Sequence, residues 1–167
     1  YITINISSPN TPGLRSMQEG SELSHLLDAL IKTQSSRTCS PPVLLKVSPD
    51  LSFESLEHLI KVSSSAGITG LILTNTTSKR PKNLVSHNNI RDGGLSGAPL
   101  STLAAESLRA ARSIAPEGFV LVAAGGISNR NIARQRFNDG ASLLQLYTEF
   151  IYQGAGVIDE LLAAADI

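Results

Sequence analysis

The chain has 167 residues, 41% of them hydrophobic, and its 14 basic residues balance 14 acidic ones. That length allows one domain with a sizeable core. Because the balanced charge provides no field that would attract nucleic acid or an anionic membrane, we expect small-molecule partners and no nucleic acid.

Five apolar segments have the composition of strands: residues 2–6, 43–47, 70–74, 119–123 and 142–146. Helical spacing of apolar residues lies between and after them, at residues 21–33, 52–66, 100–114, 129–138 and 156–165, with Ser21 and Ser52 as expected caps. Continuously apolar strands that alternate with amphipathic helices predict a parallel α/β sheet. The pattern leaves open a (β/α)8 barrel or a doubly wound sheet.

Polar residues and glycines cluster at the carboxyl ends of these strands. In a barrel those ends meet at one mouth, so we expect the residues to line one pocket. They are Asn5, Ser8 and Asn10; Lys46; Asn75 and Thr76; Gly125 and Gly126; and Tyr147 and Thr148.

Lys46 stands inside an apolar strand and must find an anionic partner or lose its proton. That partner is either a ligand or a carboxylate in a barrel interior. Gly125 and Gly126 indicate a phosphate-binding turn before a helix, or an ordinary tight turn. The Gly93–Gly97 segment either lets backbone approach a flat ligand or is a flexible surface loop.

No metal site is predicted. The three histidines, His25, His58 and His87, have no ligand spacing, and Cys39 has the character of an incidental thiol. No segment approaches the roughly 20 apolar residues of a membrane-spanning helix.

The segment Asn5-Ile6-Ser7-Ser8-Pro9-Asn10-Thr11 resembles the active-site signature of dihydroorotate dehydrogenases, flavin enzymes of pyrimidine synthesis, and the resemblance covers essentially the whole chain. It implies that Ser8 is the catalytic base. In that family the base is serine in the membrane-associated, quinone-using class and cysteine in the soluble class, so the serine implies the quinone-using class. Dihydroorotate would lose a proton from C5 to Ser8, relayed by Thr11 or an ordered water, and a hydride from C6 to flavin.

The resemblance also implies two sets of binding residues. The substrate set, whose amides suit the edges of a dihydropyrimidine ring, is Asn5, Asn10, Asn75 and Thr76. The FMN set is Asn5, Lys46, Thr74, Ser96, Gly97, Gly125, Gly126, Tyr147 and Thr148. Lys46 would lie near the flavin ring, while backbone amides at Gly126, Tyr147 and Thr148 would bind the phosphate. Taken singly, each asparagine is also an ordinary loop or turn residue.

By the same resemblance, the five strands are the fourth to eighth of a (β/α)8 barrel, and residues 1–167 are the carboxyl-terminal portion of one FMN-binding domain. We therefore expect a fragment of a longer polypeptide, inactive without the amino-terminal half of its barrel. A ubiquinone-type acceptor would reoxidise the flavin, and membrane contact would come through segments absent here. The implied location is the mitochondrial inner membrane in a eukaryote, or the cytoplasmic membrane, peripherally, in a bacterium.

Two other functions fit the residues less completely. One is another FMN-dependent barrel that acts on dihydropyrimidines or dihydrouridine, although the Ser8 motif argues against it. The other is a noncatalytic module that binds a phosphate ligand through Lys46 and the Gly125-Gly126 turn, in which Ser8 has no role.

Overall fold

The computed structural model describes residues 1–18, 20–35, 38, 40–82, 84 and 92–163. Strands and helices alternate along the chain, and two short 3-10 helices, Leu14–Gln18 and Ala98–Leu100, precede the first and third α-helices. The strands are β1 (Ile2–Asn5), β2 (Val43–Val47), β3 (Gly70–Leu73), β4 (Val120–Ala124) and β5 (Leu143–Gln145). The helices are α1 (Gly20–Ser35), α2 (Phe53–Ser65), α3 (Ser101–Ile114), α4 (Arg130–Asn138), α5 (Thr148–Gln153) and α6 (Gly156–Leu162).

The five strands form one parallel sheet in the order β1-β2-β3-β4-β5. Each strand therefore pairs with the next strand along the chain, as in the winding of a barrel rather than a doubly wound sheet, whose strand order reverses. Asn5 lies opposite Lys46, and Leu73 lies opposite Ala123. All five carboxyl ends consequently reach the same edge of the sheet.

Alternation along the strands separates two apolar faces. One face, with Leu45, Leu71 and Leu121, packs against helix residues such as Leu59 and Leu108. The buried residues of the other cluster all come from strands: Leu44, Ile72, Val122 and Ala124. Lys46 follows Leu44 by two residues and so shares this second face, at its carboxyl end.

Local sequence signals explain where several helices begin and end. The Ser52 hydroxyl accepts a hydrogen bond from the Ser55 N–H at 3.1 Å, which confirms the predicted cap of α2. Gly67 follows α2 with φ of +83°, a conformation that glycine adopts without strain. The predicted Ser21 cap is wrong, because α1 begins at Gly20 and Ser21 lies in its first turn.

The predicted elements exist in the predicted order, with shifted ends. Strands β1 and β3 end one residue early, and β4 begins and ends one residue late. Sequence analysis missed α5, since its six residues are too few for a periodic pattern. The end of the last predicted helix, Cys39 and His87 lie outside the described residues.

Two features are absent from the described residues. None of their helices is long and apolar enough to cross a membrane. They also contain no group of three or more His, Cys, Asp or Glu side chains that could hold a metal ion.

Gly70 tests the close pairing of β3 and β4. A Cβ on this residue would lie 2.0 Å from the carbonyl oxygen of Val120, its partner in the neighbouring strand. We expect Gly70→Ala to lower the free energy of unfolding of the intact protein by about 1–3 kcal/mol, because the strands must separate to admit the methyl group. Chemical denaturation measures this change.

Gly156→Ala is the matched control, since a Cβ there meets nothing within 4 Å. It should leave the denaturation midpoint nearly unchanged. Equal midpoints for the two variants would contradict the close packing at Gly70.

Candidate active site

A cavity of about 390 Å³ opens at the carboxyl edge of the sheet. Its volume lies within the range of small-molecule sites, roughly 300–1,000 Å³. All predicted site residues except Asn5, Ser8 and Asn10 line it: Lys46, Thr74, Asn75, Thr76, Ser96, Gly97, Gly125, Gly126, Tyr147 and Thr148. The structure thus brings together residues from four strand ends.

Asn5 is joined to the cavity wall by hydrogen bonds. The Asn75 side-chain N–H donates to Asn5 Oδ1 at 3.1 Å and to Ser7 Oγ at 3.0 Å. Ser7, which is fully buried, donates in turn to Asn5 Oδ1 at 2.9 Å. Sequence analysis gave Ser7 no role, although a buried serine between two amides needs such partners.

Ser8 and Asn10 lie in the loop that follows this network. The Asn10 N–H donates to Ser8 Oγ at 3.3 Å. A Cβ on Gly94 would lie 1.9 Å from Thr76 Oγ1 and 3.1 Å from Pro9 Cγ. The Gly94 backbone is therefore wedged between the Ser8 loop and a residue of the cavity wall.

The glycine-rich segment contacts both protein and cavity. Gly94 makes room for other parts of the protein, whereas Ser96 and Gly97 line the cavity, so the predicted approach to a flat ligand stays a prediction. Further along, Gly97 adopts φ of +74°, and a Cβ there would lie 3.0 Å from Thr148 Cγ2. The Thr148 hydroxyl donates to Ser96 Oγ at 3.0 Å. The segment thereby connects the loops after β3 and β5.

Lys46 brings a positive charge to the cavity. Its side chain is half-buried, and no acidic side chain among the described residues pairs with it. Burial lowers the pKa of its ammonium group from the ordinary value, because desolvation penalises the charged form. The sequence allowed two partners for Lys46, a ligand or a carboxylate in the barrel interior. The described part of the chain provides no such carboxylate. An anionic ligand in the cavity would favour the charged form.

The Gly125-Gly126 turn forms another part of the wall. Both glycines have positive φ, of +112° and +65°. A Cβ on Gly126 would lie 2.4 Å from Ser101 Cα, at the start of α3. The turn does not open α4 directly: residues 127–129 separate them, and the Asn129 side chain accepts the Ile132 N–H at 3.0 Å. Ile127 and Ser128, which follow the turn, also line the cavity.

A buried arginine, Arg136, forms hydrogen bonds with Ser101. Arg136 is 2% exposed and donates to both the carbonyl and the hydroxyl oxygen of Ser101, at 2.7 and 2.8 Å. Its guanidinium also approaches Asp139 at 3.8 Å. Sequence analysis missed Arg136, because an arginine in an amphipathic helix usually faces solvent.

Sequence analysis also missed an ion pair that contacts the Ser8 loop. Arg15 and Asp50 form an ion pair at 3.0 Å, with side chains 28% and 14% exposed. Burial alone would raise the pKa of Asp50, but hydrogen bonds from Thr77 and Ser78 and the charge of Arg15 outweigh it. Together they hold the pKa below its ordinary value.

Arg80 lies in the loop after β3. Its guanidinium donates to the carbonyl oxygen of Gly93 at 2.8 Å and to that of Ser78 at 3.0 Å. It therefore ties the loop after β3 to the glycine-rich segment.

Comparison with known proteins identifies the family. The sequence model described as Dihydroorotate dehydrogenase matches residues 1–164.

The chain belongs to the dihydroorotate dehydrogenase family.

Its curated relatives are named dihydroorotate dehydrogenase (quinone). The protein of Bradyrhizobium sp. (strain ORS 278) is 40% identical over 98% of this chain and 46% of its own length. That of Erythrobacter litoralis (strain HTCC2594) is 43% identical over 94% of this chain and 45% of its own length. The chain thus spans about half the length of the curated relatives that it matches.

Solved structures confirm the predicted fold class. Crystal structures of the Eimeria tenella dihydroorotate dehydrogenase, one ligand-free and one with ferulenol, superpose on this chain with TM-scores of 0.92 at 30% identity. They match 98% of this chain and 49% and 48% of their own chains. The parallel sheet is therefore part of a (β/α)8 barrel.

Gly126 tests the geometry of the wall. We expect Gly126→Ala to destabilise the intact protein by about 2–4 kcal/mol, because a positive φ costs an L-residue roughly 1–2 kcal/mol and the methyl group also collides with Ser101. Gly118→Ala shares the positive φ, +77°, but meets nothing within 4 Å. It should show only the smaller loss. Equal losses in thermal denaturation would contradict the close contact with α3.

Asp50 makes a prediction about pH. A depressed folded-state pKa stabilises the fold above the unfolded value, 3.8, and this stabilisation disappears as pH falls through the folded value. The difference in Tm between the unmodified intact protein and Asp50→Asn should therefore be constant from about pH 7 to pH 5 and should shrink below about pH 4. Calorimetry at stepped pH measures it. A difference that grows on acidification would show that the pKa is raised instead.

Proposed function

We propose that this chain is the carboxyl-terminal portion, residues 1–167, of the barrel of a quinone-dependent dihydroorotate dehydrogenase. The intact protein would oxidise (S)-dihydroorotate to orotate in the synthesis of UMP. One observation carries the proposal: a single cavity combines a lysine that has no acidic partner among the described residues, a Gly-Gly turn, and the amide of Asn75. The Ser8 loop lies beside that cavity, in contact with the same segment as Thr76.

The donor set of this cavity fits FMN. Lys46 supplies a cation with no acidic partner in the described chain, which suits a ring that gains negative charge on reduction. Gly126, with Tyr147 and Thr148 across the cavity, offers backbone N–H groups to a phosphate. Thr74, Ser96, Gly97 and Gly125 complete the proposed cofactor wall, and Asn5 reaches it through Asn75.

The proposed substrate groups are the amides and hydroxyl next to the Ser8 loop. Asn5, Asn10, Asn75 and Thr76 provide both donors and acceptors, as the ring edges of a dihydropyrimidine acid require. In the structure Asn75 already donates to Asn5 and Ser7, and its Oδ1 accepts from the Thr76 N–H at 2.8 Å. This network would fix the orientation of the amide before substrate binds, which reduces the ordering cost of binding.

Ser8 is proposed to take the C5 proton. The hydride from C6 of dihydroorotate would pass to FMN, held by the cofactor residues named above. The Asn10 N–H, which donates to Ser8 Oγ at 3.3 Å, would stabilise negative charge that develops on that oxygen. A hydroxyl is a weak base unless its own proton leaves at the same time. We propose that Thr11 or an ordered water relays that proton to solvent.

The other half of the barrel would complete the site. Strands β1 and β5 are the open edges of the sheet, and large apolar side chains near them are exposed. These include Tyr1, Ile2, Leu143, Tyr147, Ile151 and Tyr152. We propose that the amino-terminal half of the same barrel covers them, and that this chain alone binds FMN poorly and does not turn over.

The quinone and membrane parts of the proposal rest on the relatives. Their names specify a quinone-dependent enzyme. A ubiquinone-type acceptor and a membrane association through segments outside this chain follow by analogy. The location would be the mitochondrial inner membrane of a eukaryote or, peripherally, the cytoplasmic membrane of a bacterium.

The test uses the intact protein and its visible absorbance. Purified protein should carry FMN, and dihydroorotate should bleach its absorbance without oxygen. Ser8→Ala should retain FMN but bleach at least about 100-fold more slowly, since a positioned base contributes about 10²–10⁴-fold. Ser8→Cys should recover part of that loss at raised pH.

Ser113→Ala is the matched control, because this serine lies on α3 and its hydroxyl donates only to the Ala110 carbonyl oxygen among the described residues. It should bleach at the unmodified rate. Bound flavin that dihydroorotate does not bleach would favour another flavin-dependent barrel, and absence of flavin would favour a noncatalytic module. Normal bleaching by Ser8→Ala would refute the base assignment.

A further inference from the structure

We infer that Arg15 and Asp50 are positioning residues for the proposed reaction: they fix the loop that carries Ser8 against the loop that carries Asn75 and Thr76. The effect on catalysis that we infer rests on the proposed function. The contacts between the loops do not depend on it. Neither residue lines the cavity, and the Arg15 guanidinium contacts the predicted binding residue Thr76 only at its backbone carbonyl.

Arg15 joins three strand-end loops through one guanidinium. Its Nε donates to the carbonyl oxygen of Ser7, the residue next to Ser8, at 3.4 Å. Its Nη2 donates to the carbonyl oxygen of Thr76 at 3.2 Å, and its Nη1 contacts the Asp50 carboxylate at 3.0 Å. The planar group, with its five donors, can reach all three acceptors together, whereas a lysine ammonium cannot match that geometry.

Asp50 extends the same connection to the loop after β3. Its Oδ1 accepts from the Thr77 hydroxyl at 2.5 Å, and its Oδ2 accepts from the Ser78 N–H at 3.1 Å. Thr77 pairs in turn with Leu95 through two backbone hydrogen bonds, of 3.2 and 2.8 Å. Leu95 immediately precedes Ser96 and Gly97, which line the cavity. The carboxylate therefore anchors the third strand-end loop and the glycine-rich segment.

This pair differs from an ordinary surface ion pair, which contributes little to stability. A useful comparison is Arg109 with Asp139, whose guanidinium and carboxylate are 3.1 Å apart, with the same 14% exposure of the aspartate. Arg109 makes no contact with a strand-end loop among its described interactions. Both pairs have the same chemistry, but only the first joins the loops of the proposed site.

The consequence follows from the sensitivity of proton transfer to distance. A misplacement of reacting groups by about 1 Å can slow a reaction by about 100-fold. Ser8 follows directly after the carbonyl that Arg15 holds, and Thr76 follows directly after Asn75. Loss of the guanidinium contacts would let the base move relative to the substrate amides while leaving Lys46 and the Gly126 wall in place.

The principal experiment compares Arg15→Lys and Asp50→Asn with Arg109→Lys in the intact, FMN-loaded protein. Arg15→Lys keeps the charge but loses the planar fork, and Asp50→Asn keeps the shape but loses the charge. We expect the limiting rate of flavin bleaching at saturating dihydroorotate to fall about 10–100-fold in both, with FMN content unchanged. The double variant should be little slower than either single one, because the two residues act as a unit. Arg109→Lys should match the unmodified rate.

A merely structural role predicts a different result. It would lower Tm and leave the limiting rate intact when each variant is assayed well below its own Tm. Bleaching rates of Arg15→Lys and Asp50→Asn within about twofold of Arg109→Lys would therefore overturn the inference.

A second measurement separates this inference from the proposed function. Hydrogen exchange should rise at residues 5–10 and 74–78 together in both variants, with little change at 122–128, and should stay constant in Arg109→Lys. We expect this exchange pattern whether or not dihydroorotate bleaches the flavin. A protein that does not react with dihydroorotate would refute the proposed function, and the exchange measurement would still test whether Arg15 and Asp50 connect the two loops. Increased exchange in one segment only, or in neither, would refute the connection between the loops.

Discussion

The site depends on the parallel register of the sheet. Leu73 pairs with Ala123, and Ala123 pairs with Leu144. Residues that lie two positions after these partners therefore lie at the same height along the strand direction. Asn75 and Gly125 occupy such positions, and both line the cavity. A shift of one residue would turn the apolar side chains of a strand to its opposite face, so the buried core of the helix side enforces the alignment of the polar loops. The packing of the core and the relative positions of the site residues therefore both depend on the same strand register.

Charge is distributed unevenly around this edge. On the cavity side, Lys46 extends from a strand face formed by Leu44, Ile72 and Val122, where burial disfavours its charged form. Behind the loops, Arg15 and Asp50 neutralise each other within a network of hydrogen bonds. Lys46, which has no acidic partner among the described residues, therefore lines the space where a ligand can bind, while Arg15 and Asp50 connect parts of the protein. A buried charge is tolerated in either case only when an opposite charge or hydrogen bonds compensate its desolvation.

The sequence predicts the parts of this molecule that local rules determine. Apolar runs define five strands, and periodic spacing with caps such as Ser52 defines most helices. Placement of polar residues at strand ends predicts the cavity wall, because the topology alone gathers them. The contacts of Ser7, Arg15 and Asp50 were not predictable in this way. Arg15 and Asp50 stand 35 positions apart along the chain, and the short loops that bring them together carry no periodic signal.

Two glycines, Gly94 and Gly126, allow parts of the protein to pack closely around the site. At Gly94 the missing Cβ admits Thr76 and Pro9, so the absence of a side chain allows the loops to pack together. At Gly126 it admits the start of α3, and the positive φ turns the backbone toward the cavity. Neither contact involves a ligand, yet both determine the shape of the space that a ligand would fill. The wall is incomplete at β5, where Tyr147 lines the cavity but is 78% exposed. A partner surface that covers this tyrosine would both bury apolar area and close the cavity, so folding of the complete barrel and formation of its binding site would be the same event.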